Sequence, residues 1–167
     1  MESDEIKEAA AKGEKRIGVT MAVVAVFLAV ATMLAHRTHT EEVVLQTRAA
    51  DQWEYYQSKN SRSHMYEADS RLAMLSASGR DIAGQLAQTS KKESEDAEKI
   101  RQMAEHLEAE TDAAARRATY FDVAEVALEV SLVLCSVTLL TTLPVFWLSS
   151  FVSTLAGLVL IVSGMLR

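Results

Sequence analysis

A chain of 167 residues is long enough for one ordinary domain, and 49% of it is hydrophobic while 24% is charged, the two kinds lying in separate blocks. A formal net charge of −6 argues against a nucleic-acid binder, which would present a basic face. One proline and six glycines leave little to interrupt helices, and the single cysteine, Cys135, has no internal partner and says nothing about redox compartment.

In chain order, residues 1–16, "MESDEIKEAAAKGEKR", form a charged tail with no apolar face. Ile17 to Ala35 is 19 residues without a charge, enough at ~1.5 Å per residue to cross a hydrocarbon core of roughly 30 Å, so residues 17–37 read as a first transmembrane helix. Within it Gly18, Ala22, Ala25 and Ala29 make a stripe of small residues suited to close helix contact. A signal peptide is the alternative, since "LAVA" before Thr32 suits a small-residue cleavage site; the long acid-rich leader speaks against it.

Residues 38–121 read as an extramembrane helical hairpin. Thr38 and Glu41 have capping-box spacing, so either a new helix starts there or the first span continues. Thr40 to about Ala77 lacks proline and glycine and predicts one long helix, broken around Gly79 and Gly84. Ser90 and Glu93 give a second start signal. From there Ala97, Ile100, Ala104, Leu107, Thr111, Ala114, Ala118 and Phe121 alternate in spacings of three and four, a coiled-coil seam that stays in phase to Glu125 and Leu128. The second soluble helix and the second span therefore read as one rod. Burying a leucine stabilises by ~2 kcal/mol and alanine by far less, so this seam calls for packing against further copies or another subunit.

The last segments are a second transmembrane helix at 122–143 and a third at 144–167, where Pro144 to Leu166 gives 23 uncharged residues. Ser131, Cys135, Thr138 and Thr142 form a mildly polar line on the second, facing a pore or bonding within the bundle. Ser153, Gly157 and Gly164 are small contact positions on the third. The fold class is thus an all-α membrane protein: three transmembrane helices with a long extramembrane antiparallel helical hairpin between the first and second.

The most distinctive soluble stretch is "DQWEYYQSK". On a helix Trp53, Tyr56, Asn60 and Ser63 share one face, and Tyr55, Lys59, Arg62 and Tyr66 a neighbouring one, with Tyr55–Lys59 and Arg62–Tyr66 spaced for cation–π contact. Trp53, Tyr55, Tyr56, Lys59, Arg62 and Tyr66 are accordingly the candidate protein interface. A contact inside the hairpin is the other reading, favoured by the small residues of the pairing helix. "QWxYYQxK" at 52–59, "HMYE" at 64–67 and "YFDVAEVALEV" at 120–130 resemble an uncharacterised bacterial three-span membrane family, number 4337 in the domain-of-unknown-function series. The resemblance covers nearly the whole chain and implies three spans and a helical extramembrane hairpin, but no reaction. "TTLPVFW" departs from it in having no basic residue between the last two spans.

Lys7, Lys12, Lys15 and Arg16 precede the first span; Arg37 and Arg48 follow it, and Arg116 and Arg117 precede the second. Because charges in a segment longer than ~60 residues count less, the N-terminus is placed in the cytoplasm and the hairpin in the periplasm of a bacterial inner membrane. Tyr120, Phe121 and Trp147 then sit at interfaces.

No glycine-rich phosphate loop, CxxC pair or HExxH signature is present, and no nucleophile–base arrangement can be drawn, so an enzyme is not expected. No cofactor, metal or small-molecule substrate is expected either. His36 and His39, three apart, have the spacing of a ligand pair or of an interfacial cation pair. The acids are the oddest feature: Asp122, Glu125 and Glu129 enter an apolar segment, where a carboxylate must be protonated, wet or paired. Glu125 is expected to pair with His36 or Arg37, and Glu129 to lie between helices, bonded to a hydroxyl or a partner chain. Two functions follow: a non-catalytic oligomeric scaffold or accessory subunit of a membrane complex, docking through its hairpin, and an ion- or proton-conducting assembly using Glu125 and Glu129. The lipid bilayer and further protein chains are the partners in both.

Overall fold

The computed structural model describes residues 2–76 and 78–166, with side chains from Gly13 onward. Lys7 and Lys12, which enter the orientation argument, lie outside the described side chains, and Ala77, the expected end of the first long helix, lies outside the described residues. The chain is all-helical, with no strand among the described residues: α1 runs over Glu2–Ala73, α2 over Arg80–Thr141 and α3 over Pro144–Met165. Each contains a window long and apolar enough to cross a membrane.

Of the two readings open at Thr38, continuation of the first span is the one found, and the helix start read at Ser90 is not used. α1 continues through Thr38 and Thr40, whose hydroxyls donate to the carbonyls of Leu34 and His36 four residues back. A cap needs a non-helical residue with a free amide beyond it, and an uninterrupted α1 offers neither. α2 likewise begins at Arg80, not at Ser90, and carries Gly84 inside it. Of the two glycines Gly79 lies in the break, where Ser76 also bonds the Ala73 carbonyl: a Cβ at Gly79 would lie 2.1 Å from that oxygen, so only glycine fits. Between α2 and α3 the chain turns through Thr142, at φ 57, and extended Leu143, and Pro144 opens α3 with its φ already suited to the first turn.

The chain divides into a middle unit, Glu41–Asp112, and a terminal unit of the residues up to Thr40 and from Ala113. In the middle unit the pairings between α1 and α2 run in reverse order, from Trp53 with Glu108 through Lys59 with Glu93 and Ser63 with Ser90 to Ser70 with Ala83. The buried positions are small: Ala49, Ser63 and Ser70 on α1, and Ala83, Ser90, Ala97 and Ala104 on α2, the latter every seven residues. Their size lets each hydroxyl reach the facing backbone. Ser63 Oγ donates to the Ser90 carbonyl at 3.0 Å, Ser90 Oγ to the Ser63 carbonyl at 2.8 Å, and Ser70 Oγ to the Ala83 carbonyl at 2.8 Å.

The terminal unit is built around Val24, Ala31, Ala35, Phe121, Ala124, Leu128 and Ile161. Here α3 presses its small positions onto α2. A Cβ on Gly157 would lie 2.9 Å from Leu128 Cγ, and one on Gly164 the same distance from Phe121 Cε1. Ser153 Oγ donates to the Ala127 carbonyl at 2.7 Å. The polar line of the second span belongs to this contact: Ser131 Oγ donates to the Ser150 carbonyl and lies 2.7 Å from Thr154 Oγ1, and Cys135 Sγ donates to Ser150 Oγ at 3.3 Å. The stripe on the first span behaves differently. Gly18, Ala22, Ala25 and Ala29 are all exposed, and a Cβ on Gly18 would meet nothing. α1 packs instead through Val24, Ala31 and Ala35, a set displaced from the stripe by about 100° at one residue.

Candidate functional site

Two groups of residues stand out, one in each unit. In the terminal unit α1 meets the entering acids of α2. His39 Nε2 lies 3.1 Å from both carboxylate oxygens of Asp122, so the ring N–H donates to a forked acceptor. Thr32 Oγ1 donates to Glu125 Oε1 at 2.7 Å. This corrects the pairing expected for Glu125: its partner is Thr32, not His36 or Arg37. The reason is the level of the two helices along their common axis. With His39 opposite Asp122, the residue of α1 level with Glu125 is Thr32, and His36 and Arg37, four and five residues on, lie nearer the level of Asp122. His39 is committed to Asp122, and among the described residues no three His, Cys, Asp or Glu side chains come together as a metal site.

For Glu129 the hydroxyl partner expected within the chain is not found. It is exposed, not held between helices of its own chain, because the buried line of α2 passes through Ala124, Leu128 and Ser131 and leaves Glu129 about 100° off it. It makes no hydrogen bond or ion pair within the described residues, whereas Glu125 and Asp122, about one and two turns earlier in α2, each have a donor.

In the middle unit the aromatic stretch divides. Trp53 Nε1 donates to Glu108 Oε1 at 3.0 Å, and the Trp53 and Tyr56 rings meet edge to face at 5.6 Å. Lys59 lies 3.0 Å from a Glu93 oxygen and 3.9 Å from one of Asp96. The Glu93 contact holds the Lys59 ammonium above its usual value, against the opposing pull of desolvation. These three residues therefore face α2 of the same chain. Arg62 donates to Ser58 one turn back, so neither cation is spent on the tyrosine ring four residues away. Tyr55 and Arg62 stay exposed, and Tyr66 is half-buried. His64 and Glu67 form a loose surface pair at 3.9 Å.

Thr32 and Glu108 were not singled out by sequence as contacts, and Ser90 and Glu93 were read as a helix start, not as partners of Ser63 and Lys59. Only Thr32 carried a signal, as a hydroxyl extending the small-residue stripe of the first span by one more 3–4 step. The others are ordinary polar residues on a helix until the opposite helix supplies their partners.

No curated protein and no solved structure matches this chain. A family model matches residues 13–167, essentially all of it, and by that match the chain belongs to the family described as Domain of unknown function (DUF4337).

Proposed function

We propose that the chain is a non-catalytic, oligomeric membrane scaffold or accessory subunit, spanning a bacterial inner membrane three times and docking through a helical hairpin on the periplasmic side. The observation that carries the membrane part is how little of the apolar windows is covered from within: 11% of that of α1, 28% of α2 and 17% of α3 is buried in the chain. Lipid or other chains must cover the rest. The reversed order of the α1–α2 pairings supports a hairpin. Docking is supported by apolar side chains around its turn, where Leu72, Met74, Leu75 and Ile82 are 57–83% exposed. With Trp53, Tyr56 and Lys59 occupied inside the chain, Tyr55, Arg62 and this turn are the surface left for a partner.

Ser78, exposed in the turn, gives the test. Ser78→Cys, in a chain with Cys135→Ser, is labelled by a membrane-impermeant thiol reagent added to the periplasmic side. Labelling only after the inner membrane is opened inverts the topology. For docking, a larger complex that co-purifies in fixed stoichiometry is lost on Met74→Ser with Leu75→Ser; retention in full removes the turn from the contact.

A second reading, ion or proton conduction, is favoured by the exposure of Glu129 inside an apolar segment. Glu129→Gln keeps the shape and removes the charge. An ion flux in liposomes that this change abolishes, with assembly intact, puts conduction in place of the scaffold.

A further inference from the structure

The terminal unit holds a cavity of about 320 Å³ where the uncharged run of α1 begins after Arg16, α2 ends at Thr141 and α3 starts at Pro144. Its apolar walls are Ile17, Leu139, Pro144 and the Trp147 ring, with Glu14 and Arg16 on its polar side. A more open cleft of about 500 Å³ shares Arg16 and Trp147 with it and adds Lys15, Val19 and Thr20. Both have the size of a small-ligand site.

The polar groups differ in what they have left to give. Trp147 Nε1 donates to Thr20 Oγ1 at 3.4 Å, and the Thr20 hydroxyl donates to the Arg16 carbonyl at 3.0 Å. Thr138 and Thr142, also in the cavity wall, donate to the carbonyls of Leu134 and Thr141. Every neutral side-chain donor of the two hollows is thus used within the chain. The donors that remain are the Lys15 ammonium and the Arg16 guanidinium, both exposed and, among the described residues, with no side-chain hydrogen bond or ion pair. Glu14 is the single acid beside these two cations. An occupant that fits has an anionic head for the cations and an apolar body for Ile17, Leu139 and Trp147. Basic residues and a tryptophan at the end of an apolar run mark the depth at which the phosphates of a bilayer lie.

We propose that this cavity and its cleft bind an anionic phospholipid, the phosphate diester on Arg16 and Lys15 and the upper acyl chain against Ile17, Leu139 and Trp147. The guanidinium fork matches two phosphate oxygens. The excess of two cations over one acid selects a head of net negative charge, because an ethanolamine or choline head brings a cation of its own. A free phosphate would satisfy Arg16 and Lys15 but leave the apolar walls uncovered. The inference rests on the membrane-spanning reading and is independent of which side the N-terminus lies on.

The test is quenching of Trp147 fluorescence in the full chain purified in detergent, with Trp53→Phe to leave one tryptophan. Phospholipids brominated on the acyl chain are titrated in mixed micelles. Phosphatidylglycerol is expected to reach half-maximal quenching at a roughly fivefold lower mole fraction than phosphatidylethanolamine or phosphatidylcholine, the factor for one uncompensated cation beside anionic lipid. Arg16→Lys keeps that preference and Arg16→Gln removes it. Leu139→Phe narrows the cavity and weakens quenching by phosphatidylglycerol, whereas Leu155→Phe, exposed on α3 and outside the cavity, does not. Inorganic phosphate displaces the lipid no better than chloride of the same ionic strength. Insertion is read separately, as resistance of the wild-type chain in native membranes to alkaline extraction. An extractable chain defeats the membrane reading and the proposal with it. For an inserted chain, equal quenching by the three headgroups, a preference for ethanolamine, a preference that survives Arg16→Gln, equal effects of the two phenylalanines, or specific release by inorganic phosphate overturns this proposal alone.

Discussion

At the scale of single residues, charge partners decide what the side chains of the middle unit do. Lys59, held above its usual value of 10.5 by Glu93, contributes stability while both the folded and unfolded lysine are charged, that is, below about pH 10.4. As pH rises through the higher folded value that contribution is lost. The difference in denaturant midpoint between the natural chain and Lys59→Met, followed by helical circular dichroism, should therefore be constant near neutrality and shrink above about pH 10.5; a gap that widens there has the sign wrong. Trp53 and Tyr56 act within the chain. Trp53→Ala with Tyr56→Ala should destabilise the middle unit by about 2–4 kcal/mol, the range for removing aromatic packing that is not wholly enclosed. An unchanged midpoint would return these rings to an external interface. Sequence could place Trp53 and Tyr56 on one face, because spacing fixes a helical face. It could not place Glu125 against Thr32, since the choice among Thr32, His36 and Arg37 depends on the level of the two helices along their common axis.

At the scale of elements, the seam of α2 was legible because small residues recur at three and four over many turns. Ala97, Ala104, Ala114, Ala118, Phe121 and Leu128 are all buried. The capping signals misled because Ser90 has another use: its hydroxyl bonds the Ser63 backbone across the pair. A serine that caps and a serine that lets two helices touch look the same in one dimension. This gives a graded expectation. Ser63→Ala removes one hydroxyl and should cost about 1 kcal/mol, whereas Ser63→Leu must push α2 away and should cost several times more. Equal effects on thermal unfolding would mean that close approach is not what holds the pair. The two glycine contexts contrast in the same way. Gly157→Leu meets Leu128 and the Ala124 carbonyl and should destabilise the α2–α3 contact by about 1–3 kcal/mol. A Cβ at Gly18 meets nothing in its own chain, so Gly18→Ala should leave that contact intact.

For the molecule as a whole, apolar segments and their lengths were legible, because a run of uncharged residues needs no partner to be recognised. Which face of each span is covered was not, since composition is nearly uniform around an apolar helix; the small stripes of the first and third spans look alike, and only the third packs within the chain. Orientation is the remaining property of the whole, and it rests on few charges. If the N-terminus is cytoplasmic, the turn at Thr142–Leu143 is cytoplasmic too, and it carries no basic residue. Lys15 and Arg16, both exposed beside the first span, then work with the more distant lysines of the tail against Arg116 and Arg117 at the opposite boundary. Replacing Lys15 and Arg16 by glutamine should give a mixed population in the Ser78→Cys labelling experiment. Adding Thr141→Lys to that chain, at an exposed position in the last turn of α2, puts a positive charge back on the cytoplasmic side and should restore labelling from the periplasm. If the added lysine lowers periplasmic labelling further, the turn is periplasmic and the assigned topology is reversed.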